Sequence, residues 1–156
     1  MDFDNYGHLV PYDIIDTDLA AFERIFVTDF THSSTRSGIF EAYLNYLSDL
    51  KQIIGGGFYQ WIDGSFTTLK RNPNDIDLVT FIEAQTLQKH ASEIGKLHST
   101  NLYRGRKIDA YTVVTYEPTH QHYDIFRMDY LDWLYQFSRN TRIKENPKKG
   151  VIQIKF

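Results

Sequence analysis

The sequence predicts an α+β fold, a small mixed β-sheet with helices packed on one face. Two long stretches, Thr35–Ile54 and Tyr123–Phe137, carry apolar residues at helical spacing. Three shorter ones, Phe58–Asp63, Ile76–Ile82 and Lys107–Tyr116, are rich in β-formers and bounded by Gly, Pro or Asn. The resulting order is helix, helix, strand, turn, strand, helix, strand, helix, strand. A small sheet covered by helices accommodates it within one domain, the natural outcome for 156 residues.

Each element has a local reason. Residues 1–16 lack a clean period, and Val10-Pro11-Tyr12 reads as an extended lead-in. Asp16-Thr17-Asp18 supplies helix caps before Leu19, Phe22, Ile25 and Phe26, a helix expected to end near Asp29. His32-Ser33-Ser34 is a polar break and a second cap. The long helix then buries Ile39, Phe40, Tyr43, Leu44, Tyr46, Leu47, Leu50 and Ile54, and Gly55-Gly56-Gly57 stops it. Those glycines do not read as a phosphate loop, because they follow a helix and precede a strand. Phe58–Asp63 is the first core strand, Gly64-Ser65 a tight turn, and Lys70-Arg71-Asn72-Pro73-Asn74 a loop that cannot be helical. After the strand Ile76–Ile82, a helix over Ala84–His98 presents Leu87, Ala91, Ile94 and Leu97. Arg104-Gly105-Arg106 turns into the third strand, which Pro118 ends. The aromatic helix Tyr123–Phe137 packs on the sheet, a basic loop follows, and Val151–Ile154 forms a last short strand.

The chain has no cysteine, which excludes disulfides and thiolate zinc sites and fits a reducing compartment. Met1-Asp2-Phe3-Asp4-Asn5 is acidic and lacks the apolar core of a signal peptide. No apolar run approaches the roughly 20 residues of a membrane span. A cytoplasmic protein with no membrane partner is therefore expected. The net charge of −3 is unevenly spread. Residues 1–99 hold 7 Lys+Arg against 14 Asp+Glu, a balance of −7, and residues 100–156 hold 10 against 6, a balance of +4. The basic third could face a nucleotide, a nucleic acid or an acidic partner, though a solvated surface is the plainer account.

The chemistry concentrates between Trp61 and Phe81. A strand places residues i and i+2 on one face, so Asp75 and Asp77 point together while Ile76 and Leu78 point to the core. Paired carboxylates repel unless a cation sits between them, and Mg²⁺ accepts one or two carboxylates plus phosphate oxygens. Gly64 lets backbone approach a phosphate, and Ser65 adds a hydroxyl beside polarised N–H groups. Lys70 and Arg71 stand where they could neutralise phosphate charge. Asp63 sits beside the turn and is read as orienting it, not as a metal ligand. Asp109 lies inside a predicted strand, where an aspartate needs a partner. The histidines form no site in the sequence, His120 and His122 having no nearby co-ligands.

Gly64-Ser65 followed by Asp75-Ile76-Asp77-Leu78 resembles the signature of the nucleotidyltransferase superfamily with the DNA polymerase beta-like fold. The longer pattern Trp61-x-Asp63-Gly64-Ser65-Phe66-x-Thr68-x-Lys70-x-x-Pro73-x-Asp75-Ile76-Asp77-Leu78-Val79 is similar to a short, functionally uncharacterised bacterial family of that superfamily. The resemblance implies a polymerase beta-like core over residues 34–116. Residues 1–33 are then a lead-in and helix, and 117–156 an aromatic helix, basic loop and strand. It implies Asp109 as the third carboxylate and general base, completing a triad with Asp75 and Asp77 for Mg²⁺ or Mn²⁺. It implies Gly64, Ser65, Lys70 and Arg71 as nucleotide ligands. The implied reaction moves a nucleoside monophosphate from ATP or another triphosphate to a hydroxyl of a protein, an RNA end or a small molecule. The antitoxin-type members carry Ala-Arg-x-x-Ser before the paired aspartates, whereas this chain has Lys70-Arg71-Asn72-Pro73-Asn74. A second expectation is therefore a binding module of the same fold, an antitoxin-like partner protein with little or no catalysis. A third, nucleic-acid binding through the C-terminal Lys and Arg, predicts steep salt dependence.

Overall fold

A computed structural model gives the fold and describes residues 1–99 and 103–156. The chain opens with a two-stranded antiparallel ribbon, β1 (Asp2–Phe3) with β2 (Leu9–Val10). β3 (Ile14–Thr17) and α1 (Leu19–Glu23) follow. The Asp18 carboxylate caps α1 by accepting from the Ala21 N–H at 2.7 Å. The expected single helix to Asp29 instead widens into a π-turn over Arg24–Thr28. Ser33 Oγ caps α2 (Arg36–Ile54) by accepting from the Thr35 and Arg36 N–H groups, and Gly55 ends it at φ +76°. Then come β4 (Tyr59–Asp63), a 3₁₀ turn over Gly64–Thr67, β5 (Ile76–Glu83) and α3 (Ala84–Ser99). β6 (Ile108–Thr115), α4 (Tyr123–Phe137) and β7 (Val151–Lys155) complete the chain. Among the described residues no helix is long and apolar enough to cross a membrane.

The main sheet has five strands in the order β3-β7-β4-β5-β6. It is mixed: β3 runs parallel to β7 and β5 parallel to β6, while β4 is antiparallel to both β7 and β5. This bears out the α+β reading. The placement of all helices on one face is corrected. One face presents Ile62, Ile76, Leu78, Ile82, Ile108, Ile152 and Ile154 to the aromatic and aliphatic stripe of α2 and to α3. The other presents Trp61, Val79, Phe81, Val113 and Val151 to α4, whose Phe126, Tyr130, Trp133, Leu134 and Phe137 cover them. The reason is legible in β5, whose run Leu78-Val79-Thr80-Phe81-Ile82 is buried at every position. A strand apolar on both sides needs cover on both.

The two faces also carry polar chains that fix strand order. Tyr43 donates to Gln60 Oε1 at 2.9 Å, and Gln60 Nε2 donates to Thr80 Oγ1 at 2.9 Å, all within the α2 face. On the opposite face Trp61 Nε1 donates to Gln153 Oε1 at 2.9 Å, and Gln153 Nε2 to Asp16 Oδ1 at 2.7 Å. A buried polar atom left unpaired costs about 1–3 kcal/mol, so the buried Tyr43–Gln60–Thr80 chain penalises a slipped register. The Gln153–Asp16 bond lies at the solvent-exposed edge and adds little.

Candidate active site

Register alone aligns three carboxylates. Asp77 on β5 lies opposite Asp63 on β4 and opposite Asp109 on β6. All three share strand parity with Val79 and Phe81 and so stand at the edge of the α4 face. Asp75 precedes β5 by one residue and is half-buried. Burial, then the nearby charges of Asp75, Asp63 and Asp109, push Asp77 up to about 6.

Gly64 is required here on two counts. Its φ is +84°, and the Asp77 carboxylate occupies the space that a Cβ would need. The turn that follows is held from below by Arg36, which is fully buried. Its guanidinium donates to four carbonyls: Phe26 at 2.8 Å, Phe66 at 2.6 Å, Thr68 at 2.8 Å and Lys70 at 2.7 Å. The same group lies 3.7 Å from the Phe30 ring centroid and 5.0 Å from that of Phe66. Beyond the turn, Asn72 Oδ1 accepts from the Ser34 N–H at 2.9 Å, and the Pro73 carbonyl accepts from Thr35 Oγ1 at 2.8 Å. The segment 66–73 is thus bolted to the start of α2.

A cleft of about 790 Å³ opens over this assembly. Asp63, Gly64, Ser65, Lys70, Asp75 and Asp77 form one wall, and Arg139, Asn140, Arg142 and Lys149 of the basic loop form another. Lys149 is buried, and its ammonium donates to Asp63 Oδ2 at 2.6 Å. Asp63 is nonetheless raised to about 6, because burial outweighs the relief from Lys149, the Gly64 N–H and Thr67. His8 is buried at the same cleft, with Nε2 3.0 Å from Asn140 Nδ2, and burial lowers its pKa.

Of the residues singled out by sequence, Gly64, Ser65, Lys70, Asp75 and Asp77 meet at the cleft. Asp109 and Arg71 do not. Asp109 borders a separate cavity of about 160 Å³, where Tyr111 donates to Oδ2 at 3.0 Å and Arg104 lies 3.8 Å from Oδ1. Arg71 turns its Nε to the His32 carbonyl at 2.6 Å. Among the described residues no three carboxylates or imidazoles are drawn together as a metal-ligand set. The donor chemistry still suits a hard divalent cation. Asp75 and Asp77 offer oxygen ligands, crowd one another electrostatically, and have no cationic side chain at ion-pair distance among the described residues. Sequence reasoning missed Arg36, His8, Arg139, Arg142 and Lys149. Only the +4 balance of the C-terminal third pointed toward the basic wall.

The fold and cleft define an α+β protein with an acidic row facing a cationic loop. Residues 1–155 match the family of unknown function DUF6932, and the chain belongs to that family. No curated protein and no solved structure matches it.

Proposed function

We propose that the protein is a nucleotidyltransferase that moves a nucleoside monophosphate from ATP or another triphosphate to a hydroxyl acceptor, with Mg²⁺ or Mn²⁺ as cofactor. One observation carries the reading. Asp75 and Asp77 share a cleft with the Gly64–Ser65 turn and with Lys70, Arg139 and Arg142, three cations without an ion-pair partner among the described residues. A bound divalent ion supplies charge neutralisation at the phosphates, and Asp75 and Asp77 are the residues that would hold it.

The chain's own groups do the rest. Gly64 admits the phosphate to the backbone, and the Ser65 hydroxyl and turn N–H groups grip non-bridging oxygens. Lys70, Arg139 and Arg142 hold the departing pyrophosphate, and Arg36 keeps the turn from yielding. The acceptor oxygen bonds to the α-phosphorus as the bond to the β-phosphate oxygen breaks. In this reading Asp109 takes the acceptor's proton once its carboxylate turns from Tyr111 and Arg104 toward its register neighbour Asp77. Most of the acceleration comes from positioning and charge, as in other phosphoryl transfers.

A second reading has an observation of its own. Lys149 already places an ammonium on Asp63, and no three-ligand set is assembled among the described residues. That arrangement favours a binding module of the same fold, with little or no turnover. Calorimetry separates the two. Binding of Mg²⁺–ATP that is lost in Asp75→Asn and Asp77→Asn, with label from ATP appearing on a lysate acceptor, supports the enzyme. No binding of Mg²⁺–ATP or Mn²⁺–ATP at millimolar concentration refutes it.

A further inference from the structure

Helix α4 is apolar on two sides. Its inner side covers the sheet through Phe126, Tyr130, Trp133 and Phe137. Its outer side exposes Ile125 at 56%, Met128 at 67%, Leu131 at 52% and Tyr135 at 56%. At 100° per residue Met128, Leu131 and Tyr135 lie on one stripe, opposite the buried side. Four large apolar side chains, each more than half exposed on one 15-residue helix, form the kind of patch that marks an interaction surface.

The charges around the stripe say which partner fits. With Met128 and Tyr135 in the first position of a heptad and Leu131 in the fourth, Arg127 takes the seventh position. Asp132 takes the fifth position of the next heptad. Those two positions face each other across a parallel helix pair, so Arg127 of each protomer meets Asp132 of the other, twice by symmetry. The antiparallel alternative offers Arg127 no acidic partner, since its cross-helix neighbour of the same class is Leu134. Neither Arg127 nor Asp132 has an ion-pair partner within the protomer among the described residues.

We infer that the outer face of α4 is a self-complementary interface on which a second copy of this chain docks, its α4 parallel to the first across a two-fold axis. Met128, Leu131 and Tyr135 form the seam, and the reciprocal Arg127–Asp132 pairs set the direction. The interface lies on the side of α4 away from the sheet, so it stands apart from the proposed chemistry and does not depend on it.

Sedimentation velocity of the full chain tests this. The expected species has twice the protomer mass, and Leu131→Asp converts it to monomer while the circular dichroism spectrum of the fold is kept. Arg127→Asp or Asp132→Arg alone weakens association by about tenfold, and combining them in one chain restores it. The absence of native cysteine makes direction readable. Met128→Cys and Tyr135→Cys, each made singly, should both form a disulfide with their own counterparts, as only a parallel seam brings two like positions seven residues apart against their twins. A chain that stays monomeric at millimolar concentration overturns the inference. So does a dimer indifferent to Leu131→Asp, or one in which either cysteine fails to couple to its twin.

Discussion

Replacing Arg36 with Met keeps an unbranched stem of similar length and removes every donor. Four carbonyls then lose their partner at once, those of Phe26, Phe66, Thr68 and Lys70. Hydrogen bonds to a charged group are worth about 1.5–3 kcal/mol each. The sum overstates the loss, because a buried guanidinium without a carboxylate is itself costly. That cost shows in its pKa, lowered by burial to about 10. The carbonyls of Thr68 and Lys70 also lie where water can reach once the side chain is gone. A net loss of about 3–4 kcal/mol remains. For a domain of this size that lowers the melting temperature by about 10 °C. Arg36→Lys, which keeps the charge but brings three donors in place of a planar fork, should fall between wild type and Arg36→Met. Scanning calorimetry measures both, and amide exchange should show the largest loss of protection over residues 64–74. A loss under about 1 kcal/mol in Arg36→Met, with protection of that segment intact, would refute the claim that this guanidinium holds the turn.

Lys149→Met should destabilise by about 3 kcal/mol, since it strands the buried Asp63 without its cation, and Asp63→Asn in the same chain should recover part of the loss. Urea titrations of the two single variants and the double variant test this as a cycle. Gly64→Ala combines a positive φ with a clash against the Asp77 carboxylate, so it should abolish Mg²⁺–ATP affinity in calorimetry even where the fold survives. Asp77 sits above its ordinary value of 3.8, at about 6, so the folded state holds more protons than the unfolded one between those values. Stability from this group is complete below about pH 4 and is lost as pH rises through its folded value. Asp77→Asn should therefore be more stable than wild type by about 1–2 kcal/mol at neutral pH and no more stable near pH 4, as melting curves at the two pH values will show.

Much of the fold was readable because its elements announce themselves locally. The α2 stripe, its glycine stop, the Gly64–Ser65 turn and the Asp75–Asp77 alternation all depend on near neighbours. What escaped depends on partners far along the chain. Ile14–Thr17 carries two acidic or polar residues in four, and it is a strand only because β7 lies beside it. Arg36 reads as an ordinary first-turn residue until Phe66, Thr68 and Lys70 are folded over it. Lys149 reads as one basic loop residue among several, and its burial depends on Asp63, 86 positions earlier. Asp109 had the right strand and the right register opposite Asp77, but a strand pattern does not fix where a carboxylate turns, and Arg104 and Tyr111 decide that. The aromatic stripe of α4 was correctly assigned to packing on the sheet. Its position on the second face was not anticipated, although the burial of β5 on both sides, Leu78 and Ile82 on one and Val79 and Phe81 on the other, requires it.

Strand β7 is hydrogen-bonded between β3 and β4, although it is synthesised after both. While the ribosome is still making α4, β4 therefore presents a bare flank carrying Tyr59, Trp61 and Ile62, and β3 has nothing to lie against. Such a nascent chain is vulnerable to pairing with its neighbours on a polysome until the last strand slots in. Insertion of β7 also carries Lys149 onto Asp63, so closure of the sheet and completion of the cleft are one event. Half-made chains should accordingly be clients of holdase chaperones, and none of them should have a formed site.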